Sequence, residues 1–298
     1  MKTIVYQSYR THNVPSWINT CMQTVKKWAT LRGFDYGMID DKLFDYVPDS
    51  YKEKAQGKIQ PISDLARLKL AKEFLLKGYE RTVWIDADIL IFQPENLDIN
   101  TKEEYLFCRE AWIELEAGST VEESRIVSSS KIHNALTIFT QNNSFLDFYI
   151  YVCKEIVRNN QGKLSSIEVG TRFLTNLHQI FPLPLFNNIG LFSPLNMYAL
   201  AQEKRYFTQE YVRLLGFPIY AANLCASFRN TSYQGIDMND QVYETVIEKL
   251  LETKGELVNQ YLNSEWQNSI NECSSKRYMN HRQKTCGVQI SILQLSLI

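Results

Sequence analysis

TVWIDADILIFQP, residues Thr82 to Pro94, is the stretch on which the fold reading turns, an apolar run broken by two carboxylates one residue apart. In an extended chain alternate side chains share a face, so Asp86 and Asp88 are expected to point the same way past the small Ala87. Val83, Trp84 and Ile85 are β-branched or aromatic and read as a buried strand that delivers both acids to its C-terminal end. Open α/β sheets bind their ligands at that edge. Two hard oxygen donors there suit Mg²⁺ or Mn²⁺ carrying a substrate diphosphate, since such ions rarely use a full protein cage. An ordinary strand end with solvated acids carries the same D-x-D, so the surrounding sequence has to decide.

Upstream, Ser63 is a good N-cap before DLARLKLAKEFLLKG, in which Leu65, Leu68, Ala71 or Lys72, and Leu75 form an apolar stripe and Gly78 supplies the stop. Asp64 and Arg67 stand three apart near the helix start and share a face. A surface ion pair is one reading; the other is that both reach into the cleft where Asp86 and Asp88 end the next strand. Further back, Lys2 to Tyr6 reads as a first strand, Ser16 onward as a helix carrying Trp17, Ile18, Cys21, Val25 and Trp28 inward, and Phe34 to Ile39 as a second strand. Together they make a βαβ unit.

Downstream, Glu95 to Glu123 is acidic and irregular with a strand at Tyr105 to Cys108; Ala135 to Phe139 is a strand and Phe145 to Val157 an amphipathic helix. SSIEVGTRFLTNL carries Glu168 and Gly170 through a loop into a helix from Thr171. FPLPLFNN and LFSPLNMYAL read as short strands and loops, and VYETVIEKLLETKGELVNQYL has helical periodicity. Lys276 to Lys284 is basic, and the closing VQISILQLSLI alternates apolar and polar residues. The expected fold class is α/β, with a catalytic domain over 1–235 and a helical extension and tail over 236–298.

The chain has 298 residues, 45% hydrophobic and 22% charged, which is ordinary for a globular protein. Thirty-two Lys and Arg nearly cancel 33 Asp and Glu, so no overall field marks it for nucleic acid. Six cysteines lie scattered without metal-type spacing, as expected of a reduced, cytoplasmic protein. The first apolar run is too short for a signal peptide and no run is long enough to span a membrane.

In order and spacing, VYQSY, SDLAR at Ser63 to Arg67, WIDAD at Trp84 to Asp88, HNALTIF at His133 to Phe139 and EVGTRFLTNL at Glu168 to Leu177 resemble the GT-A nucleotide-sugar glycosyltransferases with a DXD motif. In its serine-aspartate-x-x-arginine helix before the D-x-D strand the chain resembles in particular the branch that holds capsular and mannosyl transferases and the glucosylating toxins. The resemblance implies a Rossmann-like, mostly parallel mixed sheet flanked by helices. It implies a metal-dependent hexosyltransferase using a nucleotide sugar, a UDP-sugar by preference, with a glycan or lipid-linked acceptor, in surface polysaccharide synthesis and with retention. Carried over residue by residue, Tyr6, Gln7 and Tyr9 would line the base and ribose, and Asp64 and Arg67 would hold the sugar and the phosphate side. Asp86 would touch ribose or sugar and reach the metal through water, Asp88 would bind Mn²⁺ or Mg²⁺ directly, and Asn134 would face the sugar or acceptor. Glu168 is the candidate base if one is needed.

One departure stands out: the late loop NLCASFRNTSY lacks the histidine that such families often offer the metal, leaving Ser227 or Asn223 as substitutes. Trp112 is open to a role as an acceptor platform or to plain packing. Two other functions compete, a haloacid-type phosphohydrolase with Asp86 as nucleophile and a non-catalytic nucleotide-sugar-binding protein. The basic segment with its apolar end would give a peripheral membrane contact.

Overall fold

The computed structural model describes residues 1–262. The basic segment Lys276 to Lys284, the closing VQISILQLSLI and the membrane contact expected of them lie outside the described residues. β1 (Thr3–Ser8), α1 (Ser16–Leu31) and β2 (Asp35–Ile39) form the expected βαβ unit, with β1 and β2 parallel. A 3₁₀ turn and the short α2 (Asp49–Lys54) lead to α3 (Ile59–Leu76), which runs back to β3 (Arg81–Ile85), parallel to β1 on its other side. Alternate residues of β1 and β3 feed opposite cores. Val5, Val83 and Ile85 pack with Val25 and Trp28 of α1, whereas Tyr6 and Trp84 pack with Leu65 and Leu68 of α3.

β4 (Ile89–Ile91) leaves this sheet to pair elsewhere. β5 (Tyr105–Leu115) and β6 (Ile126–Thr140) form a long antiparallel hairpin, and β6 lies antiparallel against β3. Next come α4 (Leu146–Asn159), a π-helical turn at Glu168–Arg172, α5 (Phe173–Ile180), β7 (Leu185–Phe186) and β8 (Ile189–Leu191). The main sheet has the order β2-β1-β3-β6-β5-β7, a mixed α/β architecture of mostly parallel pairings with helices on both faces. The chain closes with α6 (Pro194–Ala201), α7 (Arg205–Leu215), β9 (Ala221–Asn223), the hairpin β10 (Thr231–Tyr233) and β11 (Ile236–Met238), α8 (Asp240–Glu252) and α9 (Glu256–Asn259). A small second sheet has the order β4-β9-β8.

Four expectations are corrected. The helix carrying Asp64 begins at Ile59 and not at Ser63, because Pro61 fits a first helical turn, where its missing N–H leaves no bond unmade. β5 and β6 extend well past Cys108 and start well before Ala135, since each supplies the other's hydrogen bonds through residues too polar to read as strand. LFSPLNMYAL holds a helix, because Ser193 and Asn196 form a reciprocal capping box around Pro194 at the first turn. The boundary at 235/236 falls inside the β10–β11 hairpin, and α8 belongs to the same core as α1, α6 and α7.

Tyr243 of α8 stacks flat on Trp17 of α1 with centroids 4.1 Å apart, and the Trp17 indole donates to Asp240 at 2.9 Å. Tyr243→Ala should therefore cost about 3–5 kcal/mol, the usual loss for a buried aromatic. Urea unfolding should show one cooperative transition at a lower midpoint. A variant in which only a minor, separate transition moved would mean that α8 folds apart from the rest.

Candidate active site

β3 carries the chain, fully buried, to a tight turn in which Ile89 donates to the Asp86 carbonyl at 3.1 Å. Asp86 and Asp88 thus lie on a turn between β3 and β4 and not along an extended strand. The alternation expected for them is replaced by the turn as what brings them to one cleft. Two backbone anchors fix it: Asp86 N–H donates to the Ala135 carbonyl at 2.8 Å and Leu224 N–H to the Asp88 carbonyl at 3.0 Å.

Each carboxylate then meets a different wall. Asp86 Oδ1 accepts from Arg67 Nη1 at 2.9 Å and from the Trp84 indole at 2.6 Å, while Arg67 also ion-pairs with Asp64 one helical turn back. Arg67 and Asp64 are only 4% and 6% exposed. Asn134 on β6 donates to Asp64 Oδ1 at 3.0 Å, so α3, β3 with its following turn, and β6 meet through Asp64, Arg67, Trp84, Asp86 and Asn134. Asp88 Oδ1 accepts from the Asn223 side chain at 2.9 Å and Oδ2 from Ala226 N–H at 2.8 Å. The loop that supplies both is turned by Cys225 in the left-handed region, φ 53°, and α8 props it through the Tyr243 hydroxyl, which donates to the Cys225 carbonyl at 3.1 Å.

A cavity of about 240 Å³ opens beside Asp86, lined by Gln60, Ser63, Asp64, Arg67, Asn134, Gly170 and Thr171 among others. Gly170 is its close wall: a Cβ there would stand 2.9 Å from Asp64 Oδ2 and 3.0 Å from Asn134 Nδ2, so only glycine lets the loop lie against those side chains. Hydroxyl, amide, carboxylate and guanidinium groups line a space the size of one small polar ring.

The electrostatics are unbalanced. Burial, then the neighbouring Asp88, pushes Asp86 up to about 7 against the pull of Arg67. Asp88 is raised too, again chiefly by burial. Arg67 stays charged, raised by Asp64 and Asp86 against its own burial. Arg67 pairs with Asp64 and Asp86 while Asp88 has only neutral partners, so the three carboxylates leave two negative charges uncompensated when all ionise. Asp86 Oδ2 accepts no hydrogen bond among the described residues, and each Asp88 oxygen keeps a lone pair. A divalent cation fits that donor set, with phosphate and water completing its shell. Among the described residues no group of three His, Cys, Asp or Glu gathers to hold an ion without such help.

The expected site residues divide sharply. Asp64, Arg67, Asp86, Asp88 and Asn134 come together. Tyr9 stays at the cleft, half-buried and near Asp88 and Arg229. Tyr6 and Gln7, expected to line a base, are 1% and 0% exposed and are corrected to supporting roles. The Tyr6 hydroxyl donates to the Arg67 carbonyl at 2.9 Å; the Gln7 amide donates to the Asp86 carbonyl at 3.2 Å and its oxygen accepts from Tyr36. Their strand sits mid-sheet, so both side chains are covered. Glu168 is not brought to the cavity: the π-helical turn aims Gly170 inward and leaves Glu168 paired with Arg172 at 2.6 Å, over a separate surface depression. Asn223, weighed as a metal ligand, binds Asp88 instead, and no contact of Ser227 with either carboxylate is seen. The Trp84 indole bond to Asp86 was overlooked, although a donor two residues before an acid at a strand end is the signal that would have shown it.

No protein-family model and no curated protein matches the sequence. Among solved structures, similar chains include a glycosyltransferase involved in the glycosylation of the major capsid of PBCV-1, with 11% identity, a TM-score of 0.39 and 76% of this chain against 94% of that one. The glycosyltransferase GlyE of Streptococcus pneumoniae TIGR4 gives 10%, 0.40, 93% and 63%, and mouse xyloside xylosyltransferase 1 gives 8%, 0.37, 76% and 98%. Likeness this loose assigns no activity, and the site has to carry that by itself.

The raised Asp86 has a signed consequence. Its neutral form stabilises the fold below about pH 4, the usual carboxylate range, and that contribution is lost as pH rises through about 7. A divalent cation needs the ionised form and repays the lost stability. The rise in melting temperature given by Mn²⁺ should therefore be larger at about pH 8 than at about pH 6. An equal or larger rise at the lower pH would contradict the assignment.

Proposed function

We propose that the chain is a GT-A type glycosyltransferase that moves a hexose from a nucleotide sugar, a UDP-sugar by preference, to a glycan or lipid-linked acceptor. The observation that carries the reading is the pairing of two half-buried, charge-unbalanced carboxylates, Asp86 and Asp88, with a polar cavity of about 240 Å³ walled by Asp64, Arg67, Asn134 and Gly170. Half of that arrangement suits a diphosphate with its cation. The other half suits a sugar.

Each residue then has a task. Asp88 and the free oxygen of Asp86 would hold Mn²⁺ or Mg²⁺, which supplies charge neutralisation to the departing nucleoside diphosphate. Arg67 presents a fixed positive charge on the phosphate side, held in place by Asp64 and by its contact with the Trp84 ring at 5.4 Å. Asp64 and Asn134 offer an acceptor and a donor to sugar hydroxyls, fixing ring orientation. Gly170 keeps the opposite wall close. Glu168 lies outside the cavity, and Asp64 and Asp86 are both engaged by Arg67, which supports retention over inversion, since inversion needs a free carboxylate base beside the acceptor hydroxyl. Among the described residues no lysine lines the cavity, so the phosphohydrolase reading has no support there.

One observation favours the non-catalytic alternative, the lack of a third His, Cys, Asp or Glu beside the pair among the described residues. Activity separates the two. With a panel of UDP- and GDP-sugars, the protein should hydrolyse or transfer one donor in Mn²⁺, lose that activity in chelator, and lose at least about a hundredfold of kcat/KM in Asp88→Ala, the scale of removing one electrostatic stabiliser. Mn²⁺-dependent binding of the donor without turnover would establish the binding-protein reading instead, and chelator-resistant activity in Asp88→Ala would exclude the proposed site.

A further inference from the structure

β5 presents Glu110, Trp112 and Glu114 on one face, directly across from Lys131, Ser129 and Val127 of β6. The opposite face of β5, Ala111, Ile113 and Leu115, is buried in the core. The first face is covered only in part: Trp112, Glu114, Ser129 and Lys131 are all half-buried and Val127 is exposed. Over it folds the loop that holds Asp88. Phe228, at the end of the 3₁₀ turn whose first residue donates to Asp88 Oδ2, lies 6.0 Å from Trp112 and 5.1 Å from Tyr233. Glu114 Oε2 accepts from both the Trp112 indole at 2.9 Å and the Tyr233 hydroxyl at 2.6 Å. Gln234 ties the same loop to β5, donating to the Leu115 carbonyl and accepting its N–H, both at 2.9 Å.

Two half-buried rings, Trp112 and Tyr233, are thus held by one carboxylate with Phe228 packed between them, a short turn away from Asp88. Packing alone also gives a covered indole or phenol a partner; what distinguishes this cluster is that its rings stay half-exposed beside the loop that holds Asp88. Ser129 lies across from Trp112, and Lys131, paired with the buried Glu110 at 3.8 Å, reaches over the Trp112 ring at 5.9 Å, so a sugar stacking there would displace or bond that ammonium. Apolar ring faces edged by fixed donors and acceptors match a pyranose, which has a C–H face and a hydroxyl rim. The chain's balanced charge and the acid at the centre of the platform disfavour a nucleic-acid strand or an anionic bilayer there.

We infer that Trp112, with Phe228 and Tyr233, forms a carbohydrate-binding platform on which a sugar ring of the acceptor stacks beside Asp88, with Glu114 as the residue that positions it. The acceptor is then a glycan and not a free phosphate or a protein hydroxyl. This role as acceptor subsite rests on the transferase reading, but saccharide binding is measurable without donor turnover.

The test titrates the full chain with methyl glycosides of glucose, galactose and mannose and with lactose and maltose, following intrinsic tryptophan fluorescence. One of these probes should change the emission, and Trp112→Phe should abolish the change while Trp28→Phe, altered at a buried indole bonded to the Leu97 carbonyl, keeps it. By calorimetry Trp112→Ala should bind that saccharide at least about tenfold more weakly, a loss of about 1.4 kcal/mol. Glu114→Ala should weaken it as well, and Glu114→Gln, which still offers an oxygen to both rings, should restore it. No response to any probe in the unaltered protein would overturn the inference, as would binding within about twofold in Glu114→Ala and Trp112→Ala at unchanged melting temperature. Failure of the transferase reading shows separately, as absence of Mn²⁺-dependent turnover of any donor in the panel.

Discussion

A guanidinium buried between two carboxylates is the constraint on which the site depends. Arg67 is almost wholly covered, so it cannot be left unpaired, and its partners Asp64 and Asp86 come from a helix and from the end of the neighbouring strand. That pairing sets the distance between α3 and the β3–β4 turn. It also explains why the elements beneath it are so heavily braced, with Tyr6 bonded to the Arg67 carbonyl and Gln7 to that of Asp86. A buried ion pair is a poor way to gain stability, because desolvation offsets most of the Coulomb attraction. Its presence at a sheet edge, next to a polar cavity, points to positioning of charge as its purpose.

The second constraint works from the other side of the cleft. Asp88 is held by the loop after β9, and that loop is held by α8 through Tyr243 and through Asp240, which pairs with Arg229 and accepts from Trp17. A segment that looks in sequence like an appended helix therefore supports the carboxylate most directly suited to bind an ion. The turn Asp86 to Ile89 joins the two halves of the cleft. A site whose halves are anchored to separate layers has a defined geometry without its ligand, which lowers the cost of binding.

Much of the fold was legible where local pattern and tertiary context agree. The β-branched and aromatic run before Asp86 and the three- and four-residue spacing in α1 and α3 each had one good solution. Misreadings fell where a short signal was outweighed. Ser63 looked like a cap, but helix starts upstream of it are open to Pro61; Ser193-Pro194 was a capping signal hidden in a proline-rich stretch; β5 and β6 gain length from each other, which neither segment shows alone. In the site, Asp64, Arg67, Asp86, Asp88 and Asn134 were visible because charged and amide groups around a strand end have few structural uses. Tyr6 and Gln7 were misplaced because sequence does not show which face of a central strand is sealed by the next helix, and Glu168 because the π-helical turn, invisible in composition, aims Gly170 inward in its place.

The central claim is that Asp86 and Asp88 form one cation and diphosphate site. Anomalous diffraction from crystals grown with Mn²⁺ and UDP addresses it most directly. A single manganese peak within bonding distance of Asp88 and the free oxygen of Asp86, in contact with the diphosphate and with Arg67 still paired to Asp64, is the predicted result. UDP bound at that turn with no manganese, or manganese bound away from both carboxylates, would contradict it.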